Sequence, residues 1–361
     1  MSEAEARVLQ PPRSSKVAII TSARAKSLQK VGYQIAEVLE FNGLRTKMVF
    51  DSIPPQDLVT LVNEVDAGLV VMPVDLSFCS TFMYDCYRLK ASGKKAFYYG
   101  TIEGDVKNPR SLSWVRDRID FIANSRYTKK KLEKAGFRVV DLVYHGVPVN
   151  DYLTAPVLGS KFRSWLGVGG NTFLVGYLAS GLPRKGHDLA SEVARIVSKK
   201  DSSIKFLILS TPEATQYYSD LNNVIFLDKF ASVDEDFIKG FYGALDLYAQ
   251  FSLSEGFGMP VLEAMACGRL VAHSDYEPLS EITTEKTSFR VPVRAIKHYS
   301  DYTSILFELH IYDPSEFADV IIQAKDVITK TGKEELAVLA RERAKEFDMF
   351  KVYHKFVEIL R

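Results

Sequence analysis

The sequence has few of the features that mark secreted or membrane proteins. Its three cysteines, Cys79, Cys86 and Cys267, form neither a disulfide framework nor a paired zinc-binding motif. No stretch approaches the roughly 18 uncharged apolar residues that a membrane span needs, and residues 1–15 contain no apolar run that would indicate a signal peptide. We therefore expect a cytoplasmic protein with buried thiols in a reducing compartment.

An excess of charge of one sign is also absent. The chain has 46 basic and 45 acidic residues, which gives a formal net charge of +1. No overall field attracts nucleic acid, so we expect no nucleic-acid partner. No Gly-any-Gly-any-any-Gly segment follows the first predicted strand of either half, which argues against a Rossmann dehydrogenase.

The remaining composition and the periodicity indicate two α/β domains. The 361 residues exceed what a single hydrophobic core usually supports, and 47% of them are hydrophobic. Short apolar stretches such as Lys16–Ser22 alternate with segments of helical period such as Gly32–Gly43. The same alternation restarts in the second half of the chain. We therefore expect two Rossmann-like domains whose parallel sheets, covered by helices, face a central cleft.

The domain boundaries are predicted from the break in this alternation. Residues Asp151–Ser160 contain proline and glycine and show weak periodicity, which is typical of a linker. The prediction is a first domain over residues 1–155, a second over 156–345, and a C-terminal helix over 346–361 that returns toward the first domain.

The segment with the most chemical information lies in the second half. A predicted strand, Leu245–Phe251, runs into a polar loop, and Pro260 then opens a helix that Gly268 closes. Glu255 follows the carboxyl end of the strand, where open parallel sheets bind ligands, and Glu263 lies in the first turns of the helix.

This arrangement suits a nucleoside diphosphate sugar. Gly256 and Gly258 let the backbone approach a ligand, and free amides near Met259 lie at a helix N-terminus, which attracts phosphate. The carboxylates of Glu255 and Glu263 repel phosphate but accept hydrogen bonds from hydroxyl groups, so we expect one to bind the sugar and the other the ribose.

Residues 255–268, EGFGMPVLEAMACG, resemble the glutamate, seven residues, glutamate motif of glycosyltransferase family 4, the retaining GT-B enzymes. The resemblance implies the GT-B fold. It implies that Glu255 holds donor-sugar hydroxyls and that Glu263 binds the ribose. The amides after Glu255, from Gly256, Phe257, Gly258 and Met259, are implied to assist. The alternative makes Glu255 a solvated loop carboxylate and Glu263 a residue that only stabilises the helix dipole.

A second block, Val175–Val197, is similar to the first strand and loop of the same family's donor domain. Lys185 matches the lysine that contacts the diphosphate, and a cation is needed there because the departing nucleoside diphosphate gains negative charge. Tyr177 stands where the family usually has arginine, so Arg184 is a candidate to supply the missing charge. Alternatively, Arg184 and Lys185 are a solvated basic pair.

Further along, the resemblance implies that the turn at Lys229 and Phe230 faces the nucleotide base. Residues 234–236, Asp-Glu-Asp, fit an Asp-any-Asp metal motif. The preferred interpretation is that they are carboxylates at a helix N-terminus, where they stabilise the helix dipole. We therefore expect no metal and no other cofactor, since enzymes of this fold use cationic side chains and amides instead.

The first half resembles the family less closely. No histidine precedes His145, so the histidine that many relatives place near the sugar is missing. Glu103, in a loop after a predicted strand, is a candidate to orient the acceptor hydroxyl, with a solvated turn residue as the equal alternative. Ser125 is predicted to cap the helix that follows it.

A basic segment also lies in the first half, and its charged residues outnumber the nearby acids. With Trp114 and Tyr127 it fits peripheral contact with an anionic membrane that carries a lipid-linked acceptor, although a solvated face is slightly favoured. Its basic residues are Lys107, Arg110, Arg116, Arg118, Arg126, Lys129, Lys130, Lys131, Lys134 and Arg138.

The sequence as a whole predicts retaining transfer of a hexose from a UDP- or GDP-sugar to an acceptor hydroxyl. The acceptor is a glycan, a lipid-linked molecule or a small molecule. The alternatives are a nucleotide-sugar epimerase with the GT-B fold and a non-catalytic nucleotide-sugar or carbohydrate-binding protein. The sugar, the base, the acceptor and the oligomeric state do not follow from the sequence.

Overall fold

The computed structural model describes residues 15–109, 113–230 and 232–361. Residues 1–14 lie outside the described residues, so the structure does not bear on the prediction that they are no signal peptide. Arg110 of the basic segment also lies outside the described residues. Among the helices that are described, none is long and apolar enough to cross a bilayer.

The first half of the chain builds a six-stranded parallel sheet of order β2-β1-β3-β4-β6-β7. The strands in chain order, with the separate short strand β5, are β1 (Lys16–Thr21), β2 (Arg45–Phe50), β3 (Ala67–Pro73), β4 (Lys95–Thr101), β5 (Gly104–Val106), β6 (Phe121–Ala123) and β7 (Val139–Leu142). The helices between them are α1 (Lys26–Phe41), α2 (Pro55–Glu64), α3 (Ser80–Ala91), α4 (Ser113–Arg116) and α5 (Arg126–Lys134).

Both faces of this first sheet are buried. Along β1, Ala18 and Ile20 pack into one apolar cluster, whereas Val17 and Ile19 pack into another on the opposite face. The predicted strand at residues 16–22 is confirmed, but α1 begins earlier than predicted. Gly32 does not start the helix. It lies within it, where a Cβ atom would be only 3.2 Å from the Met48 side chain.

The second half builds another six-stranded parallel sheet, of order β10-β9-β8-β11-β12-β13. Its strands are β8 (Phe173–Leu178), β9 (Ile204–Leu209), β10 (Val224–Leu227), β11 (Leu247–Gln250), β12 (Leu270–Ser274) and β13 (Ser288–Val291). The helices of this half up to its last strand are α6 (Ala155–Trp165), α7 (His187–Lys200), α8 (Glu235–Ala244), α9 (Met259–Ala266) and α10 (Leu279–Ile282). The expected pair of doubly wound α/β units is therefore present.

The predicted linker at Asp151–Ser160 is helical and not irregular. A 3₁₀ helix over Val149–Thr154 leads directly into α6. The glycine that suggested flexibility is a packing contact, because the backbones of Gly159 and Gly243 let α6 and α8 approach closely. A Cβ atom at Gly243 would lie 1.9 Å from the Ala155 carbonyl oxygen.

A hairpin that the sequence did not reveal joins the two halves. Strands β14 (Ala295–Ser300) and β15 (Ile305–Ile311) pair antiparallel, and β15 also pairs antiparallel with β5 of the first half. Strand β5 approaches its partner closely, since a Cβ atom at Gly104 would be 2.2 Å from the Leu306 carbonyl oxygen. We call this three-stranded unit the bridging sheet.

The C-terminal region is helical, as its periodicity predicted. It contains α11 (Pro314–Thr331), α12 (Lys333–Lys345), α13 (Met349–Val352) and α14 (His354–Leu360). Side chains in and between the last two helices share a buried cluster with Val17 and Ile35 of the first half. They include Met349, Tyr353 and Phe356. The boundaries of the three predicted segments, 1–155, 156–345 and 346–361, stay a prediction.

All three cysteines, Cys79, Cys86 and Cys267, are buried and unpaired, as expected.

The close contact of α6 with α8 can be tested by Gly243→Ala. The added methyl group has to displace the backbone of Ala155, so we expect a loss of about 1–3 kcal/mol in the free energy of unfolding, the usual cost of overpacking. Gly170→Ala is the control, because nothing lies within 4 Å of a Cβ atom there. Denaturant unfolding of both variants makes the measurement, and equal stability of the two would contradict the packing.

Candidate active site

The loop between β11 and α9 carries the motif residues into the interior between the two sheets. Gly258 precedes α9 with a φ of +102°, a conformation that favours glycine, so the turn into the helix depends on this residue. Glu255 and Glu263 are 9% and 8% exposed, so neither carboxylate is solvated. This geometry removes the alternative of a solvated loop carboxylate for Glu255.

Glu255 is held by two side chains of its own half. Lys185 Nζ lies 2.7 Å from Glu255 Oε1, and the Gln250 side-chain amide donates to the same oxygen at 3.0 Å. Buried carboxylates require such partners, because an unpaired buried charge is strongly destabilising. Lys185 and Glu255, separated by 70 positions in the chain, are therefore brought together as the sequence predicted.

Lys185 ends a short 3₁₀ helix, Pro183–Lys185, before Gly186, whose φ is +64°. The Tyr177 hydroxyl donates to the Lys185 carbonyl oxygen at 2.5 Å, and the Tyr177 side chain is fully buried. The residue at the position of the family arginine thus supports the lysine loop through its backbone. The positive charges next to Glu255 and Glu103 come from Lys185 and its neighbour Arg184.

Glu103 reaches this site from the first half, between β4 and β5. Its carboxylate forms an ion pair with Arg184 and lies 3.6 Å from Lys185 Nζ, while the Ser254 hydroxyl donates to its carbonyl oxygen at 2.5 Å. Burial by itself raises the pKa of Glu103, but the charges of Arg184 and Lys185 outweigh burial and lower it below the ordinary value. Glu103 is therefore an ionised, enclosed carboxylate and not a solvated turn residue.

Arg184 contacts residues of the bridging sheet as well as Glu103. Its guanidinium group lies over the Phe307 ring, 5.3 Å from the centroid. Arg184 is thus enclosed by other side chains, which excludes the interpretation of Arg184 and Lys185 as a solvated basic pair.

Glu263 is paired with a lysine that the sequence analysis missed. Lys30 Nζ of α1 lies 2.9 Å from Glu263 Oε1, and the Tyr242 hydroxyl donates to the other oxygen at 3.0 Å. Burial tends to lower the pKa of Lys30, but Glu263 and Glu235 raise it to a net value above the ordinary one, so Lys30 stays charged. No local signal marks this pair, since 233 positions separate Lys30 from Glu263.

The two halves also meet at Gly256. Its carbonyl oxygen accepts hydrogen bonds from the hydroxyls of Ser125 at 3.0 Å and Thr128 at 3.4 Å. A Cβ atom on Gly256 would lie 2.1 Å from Thr101 Oγ1, so a larger residue at this position would clash with the first half of the chain. Ser125 also caps α5 by accepting from the Thr128 amide, which confirms the predicted cap.

His145 lies beneath the motif loop. Its ring is 5.1 Å from the Phe257 ring, and Nδ1 is 2.8 Å from the Tyr99 hydroxyl. Burial lowers the pKa of His145 to about 3, so the ring is neutral near pH 7. The His145 ring therefore packs against Phe257 and is hydrogen-bonded to Tyr99.

The other predicted positions are less enclosed. Phe230 is half-buried and its amide donates to the Ser210 carbonyl oxygen at 3.1 Å, while Met259 opens α9. Asp234 caps α8 by accepting from the Phe237 amide at 2.8 Å, so these carboxylates lie at a helix N-terminus as predicted.

One group of possible metal ligands is found among residues 15–109, 113–230 and 232–361. It consists of Asp105, His298 and Glu308 on the bridging sheet. Lys131 already forms ion pairs with both carboxylates of this group. The geometry therefore gives no reason to place a cation there.

Several lysines of the basic segment are neutralised by acids. Lys130 pairs with Glu277 at 2.7 Å and Lys134 with Asp105 at 2.8 Å. Arg138 pairs with Asp120 at 2.6 Å. These pairs reduce the local excess of positive charge that the sequence suggested. Membrane contact through this segment stays a prediction.

Comparison with known proteins adds to this geometry. Residues 171–323, which include Lys185, Glu255 and Glu263, match the family model described as glycosyl transferases group 1. A relative named uncharacterized glycosyltransferase 335, from Sulfolobus islandicus rod-shaped virus 1, is 27% identical over 95% of this chain and 100% of its own length.

Solved glycosyltransferases share the fold at low identity. A glycosyltransferase from Rickettsia africae ESF-5 matches with a TM-score of 0.74 at 15% identity, over 96% of this chain and 98% of that one. Anabaena Alr3699/HepE in complex with UDP-glucose matches with a TM-score of 0.71 at 20% identity, over 96% of this chain and 99% of that one. The chain thus has the expected GT-B fold, and residues 171–323 lie in its second half.

The depressed pKa of Glu103 predicts how stability depends on pH. Its contribution is fully present above its unfolded pKa of about 4.3 and is lost as the pH falls through the lower folded pKa. Glu103→Gln should therefore be less stable than the wild type at pH 7, and this difference should shrink below pH of about 4. Denaturant unfolding from pH 7 to pH 3 measures it. Exposed Glu285→Gln is the control, and a constant difference for Glu103→Gln would refute the pairing.

Proposed function

We propose that the protein transfers a hexose from a UDP- or GDP-sugar to an acceptor hydroxyl with retention of configuration and without a metal ion. The observation that carries this proposal is the Lys185–Glu255 pair, enclosed beside the first turn of α9. A diphosphate needs a cation and backbone amides, and a sugar hydroxyl needs a carboxylate that accepts its hydrogen bond. Lys185, the amides up to Met259, and Glu255 are these groups.

On this proposal the glutamates hold the two sugars of the donor. Glu255 accepts hydrogen bonds from hexose hydroxyls, assisted by amides of Gly256, Phe257, Gly258 and Met259. Glu263 accepts from the ribose. Both carboxylates now accept from lysine, so donor hydroxyls share or replace those contacts. The turn at Phe230 faces the base.

Lys185 and Arg184 stabilise the leaving group. The bond from the hexose anomeric carbon to the phosphate oxygen breaks, and the nucleoside diphosphate departs with additional negative charge. Preorganised cations are the largest kind of contribution to such a step. The bond to the acceptor oxygen forms on the same face, and the departing phosphate oxygen takes the acceptor proton. Glu103 orients the acceptor hydroxyl.

The proposal is tested by screening UDP- and GDP-sugars for donor-dependent transfer and hydrolysis, and then by Glu255→Gln. The amide keeps the shape but loses the charge-assisted bond to a sugar hydroxyl, so we expect turnover to fall about a hundredfold. Glu285→Gln, an exposed carboxylate, should turn over normally. Near-normal turnover and donor saturation in Glu255→Gln would remove Glu255 from the site, and binding of a donor with no turnover at all would favour a non-catalytic binding protein.

Independence from metal is a separate expectation. Cations next to Glu255 come from side chains, and Lys131 already occupies the acidic group on the bridging sheet. Turnover should therefore persist in EDTA, and manganese or magnesium should change it by less than a few fold. Loss of activity in EDTA with recovery on adding either ion would contradict the proposal.

A further inference from the structure

A cavity of about 400 Å³ lies between the bridging sheet and the first half of the chain. Glu103 and Arg184 line one part of it, so the cavity is continuous with the candidate active site. The tip of the hairpin, residues 301–305, contributes another wall. A ligand in this cavity would therefore lie against Glu103 on the side away from Glu255.

The hairpin wall of this cavity is held in place by the first half. The Asp75 carboxylate accepts from the Ser304 amide at 3.0 Å and from its hydroxyl at 2.7 Å. Lys107 Nζ donates to the carbonyl oxygens of Asp301 and Thr303 at 2.9 and 2.7 Å. Together with the pairing of β5 to β15, these bonds preform the cavity before any ligand binds.

The walls are mainly apolar. They include Leu28, Met72, Leu182 and Phe307, and two aromatic side chains, Phe78 and Tyr302, also line the cavity. The Phe78 and Tyr302 rings are 5.5 Å apart and nearly perpendicular, although one comes from each half of the chain. They are 58% and 77% exposed, which leaves aromatic surface free beside a cavity.

The charged groups of the cavity disfavour an anionic ligand. Asp75, Glu103 and Asp301 line it, against one cation, Arg184, which is already paired with Glu103. Burial alone raises the pKa of Asp301, but hydrogen bonds from Thr303 and nearby cations outweigh burial and lower it. The carboxylate is therefore ionised near pH 7. A phosphorylated acceptor would meet three carboxylates, while the nearest cations, Arg184, Lys107 and Lys185, are already bound to groups of the chain.

We propose that this cavity receives the apolar aglycone of an uncharged acceptor, with the reacting hydroxyl at Glu103 and the aglycone against Tyr302 and Phe78. This inference rests on the proposed glycosyl transfer and assigns the acceptor class of the same site. The hairpin then determines acceptor specificity, and Tyr302 is its main contact with the acceptor.

The first test compares acceptors in the transfer reaction. Phenyl β-glucoside, octyl β-glucoside below its micelle concentration, glucose and glucose 6-phosphate are assayed with the donor that the protein turns over. We expect KM for at least one of the two glucosides to be about tenfold below that for glucose, and we expect no use of glucose 6-phosphate. The phenyl and octyl arms distinguish an aromatic aglycone from a lipid-like one.

Tyr302→Ala should reduce the preference for the glucoside over glucose by about tenfold. The ratio of the two KM values is used because general damage to the enzyme cancels in it. Phe41→Ala is the matched control, since Phe41 is 78% exposed and also forms a perpendicular pair, with Phe350, away from the cavity. An unchanged ratio in Tyr302→Ala, or an equal loss in Phe41→Ala, would overturn the assignment of the cavity.

A second measurement does not depend on turnover. Saturation-transfer NMR of phenyl β-glucoside with the full chain should give the strongest signals on the ring protons, and Tyr302→Ala should remove them. Retained signals in that variant, or signals of equal strength for glucose, overturn the cavity proposal while leaving glycosyl transfer intact. Tyr302-dependent signals without any donor turnover support the cavity and refute the proposed transfer.

Discussion

A buried network of charges across the two halves is the interaction on which the candidate site depends. Glu103 from the first half pairs with Arg184 and lies near Lys185, and Lys185 pairs with Glu255. Enclosed charges of this kind are stable only when each has its partner, because removing one leaves an unpaired charge in a poorly solvated place. The network therefore requires the halves to stay close, and it sets the distance between Glu103 of the first half and the loop that carries Glu255.

A second pair at the other end of the motif follows the same logic. Lys30 of α1 holds Glu263, as Lys185 holds Glu255, so both carboxylates are oriented by lysines before a ligand arrives. The Gly256 carbonyl oxygen lies between these pairs and accepts hydroxyl groups of α5 and its cap. The motif loop is thus held by both halves at three points. The carboxylate oxygens of Glu255 and Glu263 are therefore already in place to accept hydrogen bonds, and they need not reorganise when a ligand binds.

The bridging sheet explains why the cation loop and Glu103 meet at a cavity and not at open solvent. Strand β5 begins directly after Glu103, and its partner β15 belongs to a hairpin inserted between β13 and α11. Phe307 of β15 lies beneath the Arg184 guanidinium group. The same insertion therefore packs against Arg184, joins the two halves and forms one wall of the cavity beside Glu103.

The sequence by itself determined the two parallel sheets, the motif helix α9 with its preceding glycine, the helix cap at Ser125 and the helix N-terminus at residues 234–236. Each depends on periodicity or on backbone chemistry within a few residues, which is visible locally. The helical nature of residues 155–160, the bridging sheet and the Lys30–Glu263 pair were decided only by tertiary structure. Gly159 looked like a linker residue because its packing partner, Gly243, lies far along the chain. Likewise, 81 positions separate Glu103 from Arg184, and only the order of the strands brings such residues together.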